Sequence, residues 1–281
     1  MGVDISIQED HFSLKYSNNY DLFIITGMDR FSFLIGDNQS NLLVLKSYVL
    51  DRSDNDTATA IKEVYIQEEL LKLPYRSVKI GLINAEHTFI PDRLFNAEDP
   101  GIYLKAMVRN KGATNIHIDR LTTLDSRQIY QVDSDLEFCL QQYFPTGRLF
   151  HVLSPLVLGL KQISSHQNGK KVYVHVRNNQ AHIFLFEDHN FLFANSFSFQ
   201  TDKDFIYFTM LVYDQFNLDA SKVPLYYSGF ILKNSQLYHQ LYRYIRFLNP
   251  VPRPVFFKYG EKSKTIQEHF FFDLYSLKLC E

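Results

Sequence analysis

The sequence predicts an α/β protein made of two similar lobes, and three observations support this fold class. Three β-rich runs joined by short turns precede a helix, and the same order begins again about 150 residues later. Phenylalanine and tyrosine are abundant, with 25 and 18 copies, and such rings favour the half-buried surfaces of sheets. A chain of 281 residues is also long enough for two domains. We therefore expect two lobes, each with a mixed sheet that opens with a three-strand antiparallel meander.

The first meander lies in the segment YDLFIITGMDRFSFLIGDNQSNLLVLKSYVL, which begins at Tyr20. Its strands are expected at 22–26, 31–35 and 42–50, separated by the turn-like stretches GMDR and GDNQSN. The polar stretch DRSDND then supplies Asp56 as the N-cap of a helix over 57–73, which ends just before Pro74. A strand over 77–83 follows.

The same order returns from Lys171. The runs KVYVHVR, HIFLF and FLFANSFSF form a second meander, joined by the turns NNQ and EDHN. Thr201 and Asp204 have the spacing of a capping box at the start of the next helix. The buried strand VPLYYSG and a helix over 235–248 come next, and the tail contains the strand-like run HFFFDL.

Composition and charge exclude several classes of protein. The formal net charge is −2, so the protein has no overall positive potential that would attract nucleic acid or anionic lipid. The two cysteines, Cys139 and Cys280, are far apart, which indicates a reduced, intracellular protein. The start MGVDISIQED has neither the cationic nor the apolar region expected of a signal peptide, and no apolar run approaches the roughly 20 residues that cross a bilayer. We expect a cytoplasmic protein that is not inserted in a membrane.

Two copies of the order meander, helix, strand, helix resemble the actin-like ATPase superfamily, a duplicated ribonuclease-H-like fold shared by sugar kinases, chaperone ATPases and actin. The segment SVKIGLINAEHTFIP is especially similar to the pilus-assembly and cell-division branch. The whole chain also looks like an uncharacterised bacterial family, a domain of unknown function. The resemblance covers 20–248 and implies two lobes, 12–155 and 156–281, with the C-terminal tail packed back on either one.

The resemblance also implies nucleotide between the lobes, held by the first turn of each meander and by a late glycine-rich turn. Backbone N–H groups must approach the phosphates closely there, and an acid must hold water around Mg²⁺. The candidate nucleotide-binding residues in this chain are Gly27, Asp29 and Arg30 in the first turn, Arg177 and Asn178 in the second, and Ser228 and Gly229 in the adenosine turn.

These turns depart from the pattern of the superfamily. Asp29 follows Gly27, whereas the superfamily places an acid at the strand end before the glycine. The second turn, RNNQ, has neither glycine nor acid, and the adenosine turn, YYSGF, lacks the usual adjacent glycines. Arg30 and Arg177 would face each other if the lobes pair as in the superfamily, and two guanidinium groups bind an anion. The simpler interpretation is an ordinary surface arginine in each turn.

Histidines at sevenfold spacing, His175, His182 and His189, suggest a metal site. That spacing places no two of them dependably on one side of a sheet, and no Cys or carboxylate lies at ligand spacing. We expect these histidines to occupy polar positions of strands and turns and to bind no metal. The chain has no GxSxG, HExxH, GxxxxGK[ST] or GxGxxG pattern and no nucleophile beside a base, so no catalytic residue is assigned.

The stretch YRYIRFLNPVPRPVFFKYG, over 242–260, interleaves cationic and aromatic side chains. Cations between stackable rings are typical of single-stranded nucleic acid binding. The alternative is a helix end with solvated arginines, followed by a polyproline-like connector. The residues concerned are Arg243, Arg246, Arg253 and Lys258 among Tyr244, Phe247, Phe256 and Phe257.

Three functional hypotheses follow. The preferred one is a degenerate, non-catalytic actin-like module that binds a partner protein through one lobe or the inter-lobe groove. In this hypothesis ATP and Mg²⁺ bind weakly or not at all. The first alternative is an active ATPase or kinase with divergent phosphate turns. The second is a protein that binds single-stranded nucleic acid through 242–260.

Overall fold

The chain folds into two compact units. The computed structural model describes residues 2–27, 30–50, 57–83, 86–105, 113–165, 168–177 and 179–281, so the expected cap Asp56 lies outside the described residues. Unit 1 comprises Met1–Pro155, Val255–Thr265 and Leu274–Glu281, and unit 2 comprises Leu156–Pro254 and Ile266–Asp273. Among the described helices, none is long and apolar enough to cross a membrane.

Unit 1 is built around a six-stranded sheet in the order β1-β4-β3-β2-β5-β9 and a three-stranded sheet in the order β6-β8-β7. Its elements, with the helix that leads into unit 2, are β1 Gly2–Gln8, β2 Asp21–Thr26, β3 Arg30–Gly36, β4 Leu42–Val49, α1 Thr57–Gln67, β5 Ser77–Leu82, β6 His87–Pro91, β7 Thr114–Leu121, β8 Ser126–Asp133, α2 Ser134–Tyr143, β9 Gly147–His151 and α3 Leu153–Ser164.

The six-stranded sheet combines the predicted meander with parallel strands. β2, β3 and β4 pair antiparallel, while β5 pairs parallel to β2 and β9 pairs parallel to β5. The carboxyl ends of β2, β5 and β9 therefore lie at one edge of the sheet. This edge is where open α/β sheets bind ligands.

Both faces of this sheet are buried, which explains the nearly continuous apolar runs of its strands. On one face Ile24 and Ile80 belong to a core that includes Ile61 of α1 and Leu140 of α2. On the other face, Phe23 packs against the ring of Phe257 from the tail, with ring centroids 5.9 Å apart.

Glu68 connects the meander to the end of α1. Its carboxylate accepts hydrogen bonds from Lys46 Nζ at 2.7 Å, from the hydroxyl of Tyr48 and from the backbone N–H of Leu70 at 3.1 Å. Burial raises the pKa of Glu68, but these three hydrogen bonds outweigh burial and hold the pKa below its usual value. The charged carboxylate thus ties β4 to the turn that follows α1.

Unit 2 is a five-stranded sheet in the order β12-β11-β10-β13-β14. The strand order and orientations are those of β4-β3-β2-β5-β9 in unit 1: an antiparallel meander followed by two parallel strands. The remaining elements of the chain are β10 Lys170–Arg177, β11 Gln180–Glu187, β12 Asn190–Ser198, α4 Asp202–Gln215, β13 Leu225–Gly229, α5 Gln236–Tyr244, β14 Leu248–Pro250 and α6 Phe272–Ser276.

The two faces of β10 differ in chemistry because side chains alternate along a strand. Val172, Val174 and Val176 enter the core against α4 and α5. The intervening positions carry larger and more polar side chains, and His175 and Arg177 are among them, both buried. The capping box predicted at Thr201 and Asp204 is present at the start of α4.

Two local predictions are wrong. The helix expected over 235–248 ends at Tyr244, and Leu248 instead begins β14, which pairs parallel to β13. The strand expected in HFFFDL is a turn that leads into the short helix α6. The helix expected over 57–73 is α1 followed by a 3-10 helix, Glu69–Lys72.

Candidate functional site

In unit 1, the first predicted turn follows β2 at the carboxyl edge of the parallel strands. Gly27 donates its backbone N–H to the carbonyl oxygen of Arg30 at 3.2 Å. The Arg30 guanidinium donates to Asp4 Oδ2 at 2.5 Å and to Ser47 Oγ at 3.0 Å. The predicted ligand Asp29 lies outside the described residues. Arg30 is thus bound to an acid of β1, within its own unit.

A buried polar cluster lies where β9 passes into α3, at the same edge of the sheet. Asp119 Oδ2 accepts hydrogen bonds from Ser154 Oγ at 2.6 Å and from the backbone N–H of His151 at 2.8 Å. Its other carboxylate oxygen accepts from the hydroxyl of Tyr130 at 3.1 Å. The ring of His87 packs on that of His151, with centroids 4.4 Å apart. Residues of β8, β9 and α3 thus converge on one carboxylate of β7.

The titration of this cluster is governed by burial. Burial raises the pKa of Asp119 to about 6, against the lowering effect of the hydrogen bonds from Ser154, His151 and Tyr130. Burial also lowers the pKa of His87 to about 4. Around neutral pH, His87 is therefore uncharged, and Asp119 changes charge near pH 6.

A partly open cavity of about 180 Å³ lies beside β5 and α2. Its walls include Ile80, Leu140 and Leu149, and its polar end is formed by His117 and Glu137, whose Nε2 and Oε2 atoms are 3.1 Å apart. Burial raises the pKa of Glu137, but hydrogen bonds from Asn115 and His117 lower it below its usual value. The cavity therefore combines apolar walls with one charged end.

In unit 2, the predicted second turn begins with a buried residue. Arg177 is the last residue of β10 and has no solvent exposure. Its guanidinium donates to Asp273 Oδ2 at 2.5 Å, and Asp273 is equally buried. The interpretation of Arg177 as a surface arginine is wrong, because the side chain points into the unit with an acid of the tail as its partner. Asn178 lies outside the described residues.

The predicted adenosine turn is also bound within unit 2. Ser228 Oγ lies 2.9 Å from His175 Nδ1, and the backbone N–H of Gly229 donates to the carbonyl oxygen of His269 at 2.8 Å. Gly229 has a φ of +80°, and a Cβ at this position would overlap with the backbone of Val176. Only glycine combines this left-handed conformation with so close an approach to β10.

Ser228, His175 and Asp273 follow one another in the order of a nucleophilic triad. His175 Nε2 lies 3.5 Å from Asp273 Oδ2. All three side chains are at most 1% exposed, so the serine hydroxyl does not face solvent. The arrangement is a buried polar network and not an acyl-transfer site.

The histidine prediction needs one correction. His175 and His182 are directly paired in the register of β10 and β11, with ring centroids 6.1 Å apart, so the spacing does place two of the three on one side. His182 Nδ1 lies 2.7 Å from Ser196 Oγ. Within the described ranges, no group of three or more His, Cys, Asp or Glu side chains is arranged to hold a metal ion.

Comparison with known proteins identifies the family. A family described as "Protein of unknown function (DUF3822)" matches residues 9–248. This chain belongs to the DUF3822 family. Among the curated proteins, none matches the chain.

Solved structures show the fold of this DUF3822 protein. A Bacteroides thetaiotaomicron VPI-5482 protein with an actin-like ATPase fold and unknown function is 23% identical and has a TM-score of 0.83, over 96% of this chain and 99% of its own. PilM of the PilM–PilN type IV pilus biogenesis complex is 12% identical, with a TM-score of 0.60 over 92% and 97% of the chains. EutJ of Carboxydothermus hydrogenoformans is 8% identical, with a TM-score of 0.53 over 93% and 90%. The expected actin-like ATPase fold is confirmed.

Sequence reasoning missed the acids that complete both polar networks of this DUF3822 chain. Asp119 follows Ile118 in the largely exposed edge strand β7, and Asp273 lies in an aromatic run of the tail, so neither has a local signature. The one available signal was composition, and it applied to Asp273 alone, an acid inside an otherwise apolar and aromatic run, where an acid is buried only when it is paired.

We predict that replacing Asp119 with Asn removes part of the pH dependence of stability. A raised pKa in the folded state means that protonation stabilises the fold. This contribution is complete below pH 3.8 and is lost as the pH rises through about 6. Between pH 4 and pH 7, the free energy of unfolding of the native chain should therefore fall by about 2 kcal/mol relative to that of Asp119→Asn.

Urea unfolding at several pH values measures this difference. Groups such as His87 and Glu68 titrate in both proteins, so their contributions cancel in the comparison. Parallel stability profiles for the native chain and Asp119→Asn would contradict the prediction.

Proposed function

We propose that this protein is a cytosolic, non-catalytic actin-like module that binds a partner protein and binds nucleotide weakly or not at all. The observation that supports this most directly is that groups expected to hold nucleotide already have partners in their own unit. Arg177 is paired with Asp273, Ser228 with His175, and the N–H of Gly229 with the carbonyl of His269. In unit 1, Arg30 is paired with Asp4.

The chemistry of these groups supports the same proposal. A phosphate turn works through backbone N–H groups that point at the ligand and through an acid that orders water around Mg²⁺. Here the N–H of Phe230 donates to the carbonyl of Val176 at 2.9 Å, as that of Gly229 does to His269. A guanidinium such as that of Arg177 does not coordinate a cation. Nucleotide binding would have to displace several buried hydrogen bonds.

We expect that Mg-ATP shows no sub-millimolar binding by isothermal titration and that no phosphate is released from ATP. The physical reason is the internal pairing of both turns. The control variants are Ser228→Ala, which alters the adenosine turn, and Lys222→Ala, which alters an exposed side chain of the same unit. The alternative of an active ATPase or kinase would be established by two results together. Mg-ATP would bind with sub-millimolar affinity that Ser228→Ala weakens and Lys222→Ala leaves unchanged, and phosphate would be released.

Two observations support partner binding. PilM, which shares the fold, has been solved in a complex of type IV pilus biogenesis with PilN. In the present chain, the cavity beside β5 and α2 is larger than engineered cavities that hold benzene. Its apolar walls suit an apolar side chain of a protein partner. The charged Glu137 at one end suits a hydrogen-bond donor next to that side chain in the partner.

Site-specific photocrosslinking tests this location. Benzoylphenylalanine at Gln141, an exposed position that lines the cavity, should give one discrete protein adduct in cells of the species that encodes the chain. The same group at Lys222, an exposed position in unit 2, is the matched control and should give none. An identical adduct pattern at both positions, or no adduct at Gln141, would contradict binding at the cavity.

A second candidate function, binding of single-stranded nucleic acid, is supported by the surface at the end of α5. Tyr242, Tyr244 and Phe247 are 69%, 48% and 47% exposed. The guanidinium carbon of Arg243 lies 5.9 Å from the ring of Tyr244, and that of Arg246 lies 5.5 Å from the ring of Phe247. Exposed rings beside cations are the groups on which unpaired bases stack.

For this candidate, oligouridine should bind at low salt in a fluorescence-anisotropy titration, and its affinity should fall steeply with salt. Arg243→Ala with Arg246→Ala should abolish binding or lower the salt slope by about 1.4, because two phosphate contacts are lost. Lys105→Ala with Lys222→Ala removes the same charge from other exposed positions and should change little. Absence of binding at low salt would eliminate this function.

A further inference from the structure

The tail segment Ile266–Asp273 lies across the carboxyl ends of β10 and β13 in unit 2. The carbonyl oxygen of His269 accepts the N–H of Gly229, and His269 Nε2 lies 2.8 Å from the carbonyl oxygen of Ile231. The rings of Phe270 and Phe271 each lie 5.3 Å from that of Phe230. The segment thus covers the edge where an open α/β sheet binds its ligand.

At the end of this segment, the Asp273 carboxylate occupies a pocket of cationic and hydrogen-bonding groups. Arg177 donates to Oδ2 at 2.5 Å, from a residue 96 positions earlier in the chain. His175 Nε2 lies 3.5 Å from the same oxygen and has no hydrogen bond among the described residues. The ring of Phe230 lies 5.9 Å from the guanidinium carbon of Arg177. Arg177, His175 and Asp273 are all buried.

This arrangement has the features of an anion-binding site. A buried guanidinium needs a counter-charge, and its planar donors fit a carboxylate or a phosphate equally well. His175 is oriented by its contact with Ser228, which directs Nε2 toward the bound oxygen. A free anion with several oxygens would contact both Arg177 and His175, as Asp273 does here.

We propose that unit 2 contains an anion-binding site formed by Arg177 and His175, and that Asp273 is its built-in occupant. The tail segment Ile266–Asp273 acts as an intramolecular ligand, so that an external carboxylate or phosphate group and Asp273 exclude each other. This anion site rests on the proposed function in one respect: Asp273 and the tail segment occupy the edge of unit 2 at which nucleotide would otherwise bind.

Anion rescue of Asp273→Ala tests the site. Removing the carboxylate leaves the Arg177 charge buried, so the melting temperature should fall by on the order of 10 °C in chloride buffer. Added formate or inorganic phosphate, at constant ionic strength, should restore several degrees with saturation in the millimolar range. The formate arm reports a carboxylate site, and the phosphate arm reports room for a phosphoryl group.

Two controls separate a specific site from a general salt effect. Arg177→Met combined with Asp273→Ala lacks both charges and should show no response to either anion. Asp21→Ala removes the acid of the more exposed pair with Arg76 and should also show none. The native chain should not respond, because Asp273 already fills the site.

Equal anion responses in the double variant, or no response of Asp273→Ala to either anion, would overturn the proposal. If Asp273→Ala does not fold in chloride, its refolding yield is compared in formate, phosphate and chloride. Recovery in formate or phosphate alone supports the site, and equal failure in all three overturns it. Mg-ATP hydrolysis by the native chain would refute the proposed function but would not change the anion response of Asp273→Ala. The anion site and the proposed function can therefore be refuted independently.

Discussion

The buried ion pair between Arg177 and Asp273 determines how unit 2 is organised around the ends of its parallel strands. A guanidinium removed from water is tolerated only with a close counter-charge, and breaking such a pair costs about 3–5 kcal/mol. Because Asp273 is held at the end of β10, the preceding residues lie against β13, where the carbonyl of His269 accepts the N–H of Gly229. One electrostatic requirement thereby fixes the conformation of the tail segment and of the glycine turn.

In unit 1, the buried acid at the carboxyl ends of the parallel strands is stabilised in a different way. Asp119 accepts hydrogen bonds from the neutral groups of Ser154, Tyr130 and the His151 backbone, and burial raises its pKa to about 6. Below about pH 6 a proton neutralises this acid, whereas a guanidinium neutralises Asp273. Two sheets that share the order and orientation of five strands thus carry networks of different chemistry, one that titrates and one that is an ion pair.

The sequence was informative where periodicity alone decides structure. Both meanders were predicted closely, because most of their strands are buried on both faces and produce nearly continuous apolar runs. The edge strand β12 has no fully buried residue and is marked instead by recurring Phe. The helix over 235–248 was predicted too long, because Leu248 fits the helical pattern but pairs with β13 instead. Candidate positions such as Arg177 and Gly229 could be found because the resemblance to the actin-like superfamily points to the turns that follow predicted strands. Their partners could not, because Asp273 and His269 come from a distant segment that only the folded chain brings close.

The position of Arg177 gives the end of β10 a chemistry of its own, which a shared fold does not determine. An acid at such a strand end attracts a hydrated cation and, through it, phosphate. A guanidinium at the same place repels the cation and attracts an anion directly. Once the chain itself supplies that anion, the site becomes part of the core. Loss of the Asp273 carboxylate then lowers the stability of the fold. In the proposed site, the pairing of Arg177 with Asp273 therefore makes the end of β10 a structural element of unit 2.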